Sequence, residues 1–141
     1  MKKAKRILVG LKTQEHAVEL TDIACRLGVD NANLLLVHII ELPDPTPLDA
    51  EVPDLDALAK KIIATAKRVA SHSEMKVSSL VLRAHDAGHA LLEEMRDKKV
   101  ELAVIGYHHR EMLAEVLLGT TAQHLSKHAP CHLVIDVPPR D

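Results

Sequence analysis

The chain is expected to fold as an α/β domain on one open, parallel, five-stranded sheet with helices on both faces. Two observations carry that expectation. Five short apolar runs recur along 141 residues, and segments of helix length separate each run from the next. Strands so far apart in sequence cannot pair as hairpins, so parallel pairing through right-handed crossovers is what remains.

Ile7-Leu8-Val9-Gly10-Leu11 has the length and flanks of a buried strand. Thr13 can cap a helix carrying Ala17, Leu20, Ala24 and Leu27, and Gly28 stops it. Leu34 to Ile40 forms the second strand. The connection after it, Pro43-Asp44-Pro45-Thr46-Pro47 and then Pro53, suits neither a helix interior nor a central strand. From Asp54 as cap, Leu55, Leu58, Ala59, Ile62, Ile63, Ala66, Val69 and Ala70 share one face, with Lys60, Lys61, Lys67 and Arg68 opposite. Val77–Leu82 is the third strand, Gly88–Lys98 a helix through Leu91, Leu92 and Met95, and Leu102–Ile105 the fourth strand. A helix over Thr120–His128 and a strand over His132–Val137 complete the series.

Length and composition bound the function. One domain spans residues 1–141, large enough to bury a core without disulfides or a structural metal. Lys plus Arg number 18 against 20 Asp plus Glu, so no strong field draws nucleic acid or an anionic membrane. Tyr107 is the sole aromatic, which leaves no stacking platform for single strands, and nucleic acid is excluded as a partner. Cys25 and Cys131 stand far apart in apolar contexts with no metal or redox spacing, which points to a reducing cytoplasm. The basic N-terminus is followed by too short an apolar run for a signal peptide or membrane span, so no direct membrane insertion is expected.

The motif that carries chemistry lies near the C-terminal end. Gly106-Tyr107-His108-His109 is followed by Gly119-Thr120, a spacing of Gly-x-x-His-x9-Gly-Thr. It sets one turn where a strand ends and another where a helix begins, and exposed N–H groups at a helix start favour anions. In a parallel sheet ligands sit beyond the C-terminal strand ends where the strand order reverses. With the order 3-2-1-4-5 the reversal falls between the first and fourth strands, whose loops hold Lys12-Thr13 and Gly106 to Arg110.

Over essentially its full length the chain resembles the universal stress protein family. The carrying segments are Ile7 to Lys12, Leu35 to Ile40, Gly106 to Thr120, and His128-Ala129-Pro130-Cys131-His132-Leu133-Val134-Ile135. The resemblance implies the Rossmann-like, adenine-nucleotide alpha-hydrolase-like fold with that strand order, homodimers paired through the last strand, and a role in stress response or signalling. It also implies a ligand-contacting set of Leu11, Lys12, Ile39, Ile105, Gly106, His109, Gly119, Thr120 and Thr121. ATP, AMP or another phosphate-containing ligand is the implied cofactor. The chain departs from the nucleotide-binding pattern twice. Lys12 stands where an aspartate contacts the nucleoside, and an ammonium only donates hydrogen bonds. His109 stands where a second glycine lets phosphate approach closely. The expected site is therefore degenerate, with weak or no ATP binding, although Lys12, Arg110 and a protonated His109 could attract an anion.

Ten histidines include His85 with His89, His108 with His109, and His124 with His128. Pairs four apart on a helix can chelate a metal, but no cysteine or carboxylate completes a four-ligand set, and no metal site is expected. His85 and His89 read as residues at a helix start, His38 as a packed strand residue, and Tyr107 as an exposed loop residue or a stacking partner for a base. There is no Gly-x-Ser-x-Gly elbow, His-Glu-x-x-His or Walker pattern. A binding or signalling module is the expectation, with a slow nucleotide phosphohydrolase as the enzyme alternative. The loop Glu41 to Asp49 is similar to that of family domains fused behind amino-acid permeases and cation antiporters, which implies a separate transporter or signalling partner; the alternative is a stiff surface loop that only joins strand to helix.

Overall fold

The computed structural model describes residues 2–107 and 119–139. The strands β1 (Ala4–Gly10), β2 (Gly28–Glu41), β3 (Lys76–Ala84), β4 (Leu102–Gly106) and β5 (His132–Asp136) form one sheet. Their order is β3-β2-β1-β4-β5 and every pairing is parallel. The helices α1 (Gln14–Leu27), α2 (Pro53–Ala70), α3 (Ala87–Asp97) and α4 (Thr120–His128) make the crossovers.

Side chains alternate across a strand, so each buried strand supplies two cores. Ile7 and Val9 of β1, with Leu102 and Val104 of β4, pack with α1 and α2 through Leu20, Ala24, Ile62 and Ala66. Leu8 between them, with Ala103 and Ile105, faces α3 and α4 through Leu91, Met95 and Leu125. Full burial of a residue such as Ile62 is worth about 2 kcal/mol. Helices thus cover both faces. Among the described residues no helix is long and apolar enough to cross a membrane.

Several boundaries differ from expectation. Gly28 does stop α1, but in an extended conformation that leads straight into β2. β2 is therefore 14 residues long, and its polar start, Asp30, Asn31 and Asn33, conceals it from hydropathy. Asn31 has φ 65, and the pairing of β1 with β2 shifts register between Ala4 and Arg6. α2 starts at Pro53 with Val52 as its cap, not at Asp54, because proline is favoured where the first N–H has no partner. Leu55 and Leu58 were expected on the buried face, yet each is 41% exposed. Core contact along α2 begins only at Ala59.

Candidate functional site

At the C-terminal ends of β2, β1 and β4 the strand order reverses, and the crossovers from β1 and β4 leave toward opposite faces. A cavity of about 610 Å³ opens there, a volume suited to a small organic ligand. Leu11, Lys12, Ile39, Ile105, Gly106, Gly119, Thr120 and Thr121, all expected from sequence, line it together. His109, with His108 and Arg110, lies outside the described residues. Its lining also includes His16, Val37, Glu41, His85, Asp86, Leu91 and His124, which the sequence did not single out for it. They come from elements distant in the chain, and only tertiary packing assembles them.

The exit of β1 is held rigidly. The Leu11 N–H donates to the Val37 carbonyl at 2.8 Å. The buried His38 donates from Nδ1 to the Leu11 carbonyl at 2.7 Å, so the packed strand histidine also anchors the loop. The Lys12 N–H donates to His16 Nδ1 at 3.3 Å, while Thr13 caps α1 by accepting from the His16 N–H at 3.1 Å. His16 is itself buried, 8% exposed, and its ring lies against Gly106. A Cβ at residue 106 would come within 2.5 Å of His16 Cε1 and 2.9 Å of Cδ2, closer than side chains pack. Among the described residues no glycine has positive φ, so Gly106 is needed here for close approach and not for its backbone angle.

Two helix starts face the cavity, and they differ. At α3, Asp86 accepts from the His89 N–H at 3.1 Å and Glu41 accepts from the Ala87 N–H at 2.7 Å. Two carboxylates therefore already satisfy the donors and the dipole of that end. At α4, Gly119 is the cap, and among the described residues no side chain caps that helix start. A Cβ on Gly119 would meet nothing within 4 Å among the described residues. Lys12 is exposed at the cavity edge, and its ammonium has no hydrogen bond or ion pair among the described residues.

Of the described histidine pairs, His124 with His128 is kept and His85 with His89 is not. His85 bonds the Leu42 carbonyl through Nδ1 at 3.1 Å. His89 lies instead against His124 of α4, with ring centroids 4.5 Å apart, and His124 lies 4.8 Å from His128. Gly88 permits that approach, since a Cβ there would touch His124 Cδ2 at 3.0 Å. His124 Nε2 is buried without a hydrogen-bond partner among the described residues. No group of three His, Cys, Asp or Glu among those residues is placed to hold a metal. Tyr107 is 5% exposed, which corrects the exposed-loop expectation. Burial pushes the thiols of Cys25 and Cys131 up, away from the reactive thiolate.

Residues 3–137 match the model of the universal stress protein family. The chain belongs to that family. No curated protein matches it. Among solved structures it is similar to a universal stress protein from Archaeoglobus fulgidus, with 16% identity, 92% of this chain and 96% of that one covered, and a TM-score of 0.73. A universal stress protein in complex with cAMP shares 16% identity over 98% of this chain and 100% of that one, with a TM-score of 0.67. A universal stress protein family protein from Arabidopsis thaliana with AMP bound shares 12% identity over 97% and 94%, with a TM-score of 0.63. At such identities the likeness is one of fold, and this stress-protein domain has the Rossmann-like architecture of those neighbours.

Proposed function

We propose that this universal stress protein is a cytoplasmic binding module for stress signalling whose cavity takes a phosphate-containing ligand and holds ATP weakly or not at all. The single observation that carries the proposal is the contrast between the two helix starts. The start of α3 is bonded by Glu41 and Asp86, whereas the start of α4, on the same cavity, has no side-chain cap among the described residues. An anionic group at α4 would accept from those N–H groups and oppose the helix dipole. The relatives with bound AMP and cAMP support a nucleotide as that ligand.

Lys12 supports the weakness toward ATP, because it replaces an acceptor for the nucleoside with a donor. His109 is the second reason, as a side chain where close phosphate approach favours glycine. Equilibrium dialysis should show AMP bound and adenosine not bound, with ATP at best weakly held. A phosphate-release assay should find no turnover. The double substitution Lys12→Asp with His109→Gly should create ATP affinity, a gain on the order of 1–3 kcal/mol if one buried polar partner is restored. Micromolar ATP binding by the unsubstituted protein would overturn the proposal.

A further inference from the structure

The order of strands along the cavity wall constrains how a nucleotide can lie there. The start of α4 lines the cavity and follows β4 in the chain, the apolar shelf of Val37 and Ile39 belongs to β2, and β1 runs between β2 and β4. A nucleotide with its 5′-phosphate at α4 and its base on the shelf must carry its sugar across the exit of β1. That exit presents Lys12.

The chemistry at this middle position is one-sided. The backbone beneath Lys12 is pinned through Leu11 and His16, so the ammonium works from a fixed base. The ammonium has no partner among the described residues, and the lining carboxylates Glu41 and Asp86 each spend one oxygen on the start of α3. A free ribose hydroxyl placed here meets the positive charge of Lys12, which can donate to it but cannot take its proton. A phosphate ester on that hydroxyl carries only acceptors and negative charge, and it suits the ammonium on both counts. Dinucleotide folds use the same exchange, a carboxylate for the free 2′-hydroxyl and a cation for its phosphate ester.

Resting on the phosphate-ligand reading above, we infer that this site selects nucleotides phosphorylated on the sugar as well as at the 5′ position, with Lys12 as the residue that reads the second phosphate. Either the 2′ or the 3′ ester satisfies this chemistry, and the two are separate arms of the test.

The test is isothermal calorimetry of the full chain with AMP, adenosine 2′,5′-bisphosphate and adenosine 3′,5′-bisphosphate. One bisphosphate should bind about tenfold or more tightly than AMP, the scale of one charge-assisted hydrogen bond. In Lys12→Ala that ratio should fall to near one, and in Lys12→Asp below one. Lys67→Ala, on the solvent face of α2 and away from the cavity, controls for overall charge and should keep the ratio of the unsubstituted protein. Equal affinity for AMP and both bisphosphates would overturn the inference and leave the phosphate-ligand reading standing. A preference that survives Lys12→Ala would overturn the role of Lys12. Failure of all three ligands to bind would overturn the nucleotide reading, and this inference with it.

Discussion

At the scale of single residues, Gly106 belongs at once to a sequence motif and to a packing contact, and the two make different demands. The motif suggests a glycine kept for a ligand, but the ring of His16 already fills the space where its Cβ would stand. Gly106→Ala should therefore destabilise the fold by about 1–3 kcal/mol in urea denaturation, the usual cost of overpacking. His16→Ala removes the obstacle, so Gly106→Ala in that background should cost clearly less, a coupling that a double-mutant cycle measures. Gly119→Ala meets nothing within 4 Å among the described residues and should change stability by no more than about 0.5 kcal/mol. Additive costs at residues 106 and 16 would assign Gly106 to the ligand alone. His16 was not legible as a site residue, because on sequence it is one polar residue in the first turn of a helix. Its role arises only when β4 is laid beside β1.

At the scale of elements, the proline-rich connection is tied down by a residue that periodicity treats as one more position in a strand. Arg83 of β3 donates to both carboxylate oxygens of Asp56, at 2.9 and 3.0 Å, and to the Leu48 carbonyl at 3.0 Å. It also donates to the Ala50 carbonyl. One guanidinium thus joins the loop, the start of α2 and the sheet edge. Arg83→Ala should cost about 1 kcal/mol, since the pair is partly exposed and solvent screens it. Amide exchange should rise across residues 46–56. Arg83→Lys should not restore protection, because a point ammonium cannot make the forked contact. Unchanged exchange in Arg83→Ala would show that the prolines alone hold the segment. Elsewhere the strand centres were legible and their ends were not: β2 begins at Gly28 because backbone pairing continues through polar residues that hydropathy discounts.

At the scale of the whole molecule, the two edges of the sheet are β3 and β5, and among the described residues neither pairs with a further strand on its outer side. β5 is short, its Leu133, Val134 and Ile135 are only partly buried, and Val137 beyond it is 46% exposed. An exposed apolar edge invites pairing with another chain. We expect an antiparallel twofold dimer through His132 to Val137, with Pro138 and Pro139 ending the pairing because proline lacks an N–H. Light scattering at micromolar concentration should give twice the chain mass. Val137→Lys should move the equilibrium toward monomer by placing a charged side chain on the apolar edge that pairing would cover. A monomer at that concentration in the unsubstituted protein would exclude this assembly.

The sequence by itself determined the fold class, the order of elements, the family and most of the motif residues. Apolar runs of strand length and helix faces are local patterns, and the rules for parallel crossovers leave few topologies to choose from. Tertiary structure alone decided which residues share the cavity, because burial and close approach depend on elements far apart in the chain. It placed His16 under Gly106, turned His89 from His85 to His124, and set Glu41 and Asp86 on the start of α3. Those choices follow from packing strands side by side at fixed spacing, and no local window of sequence contains that neighbourhood.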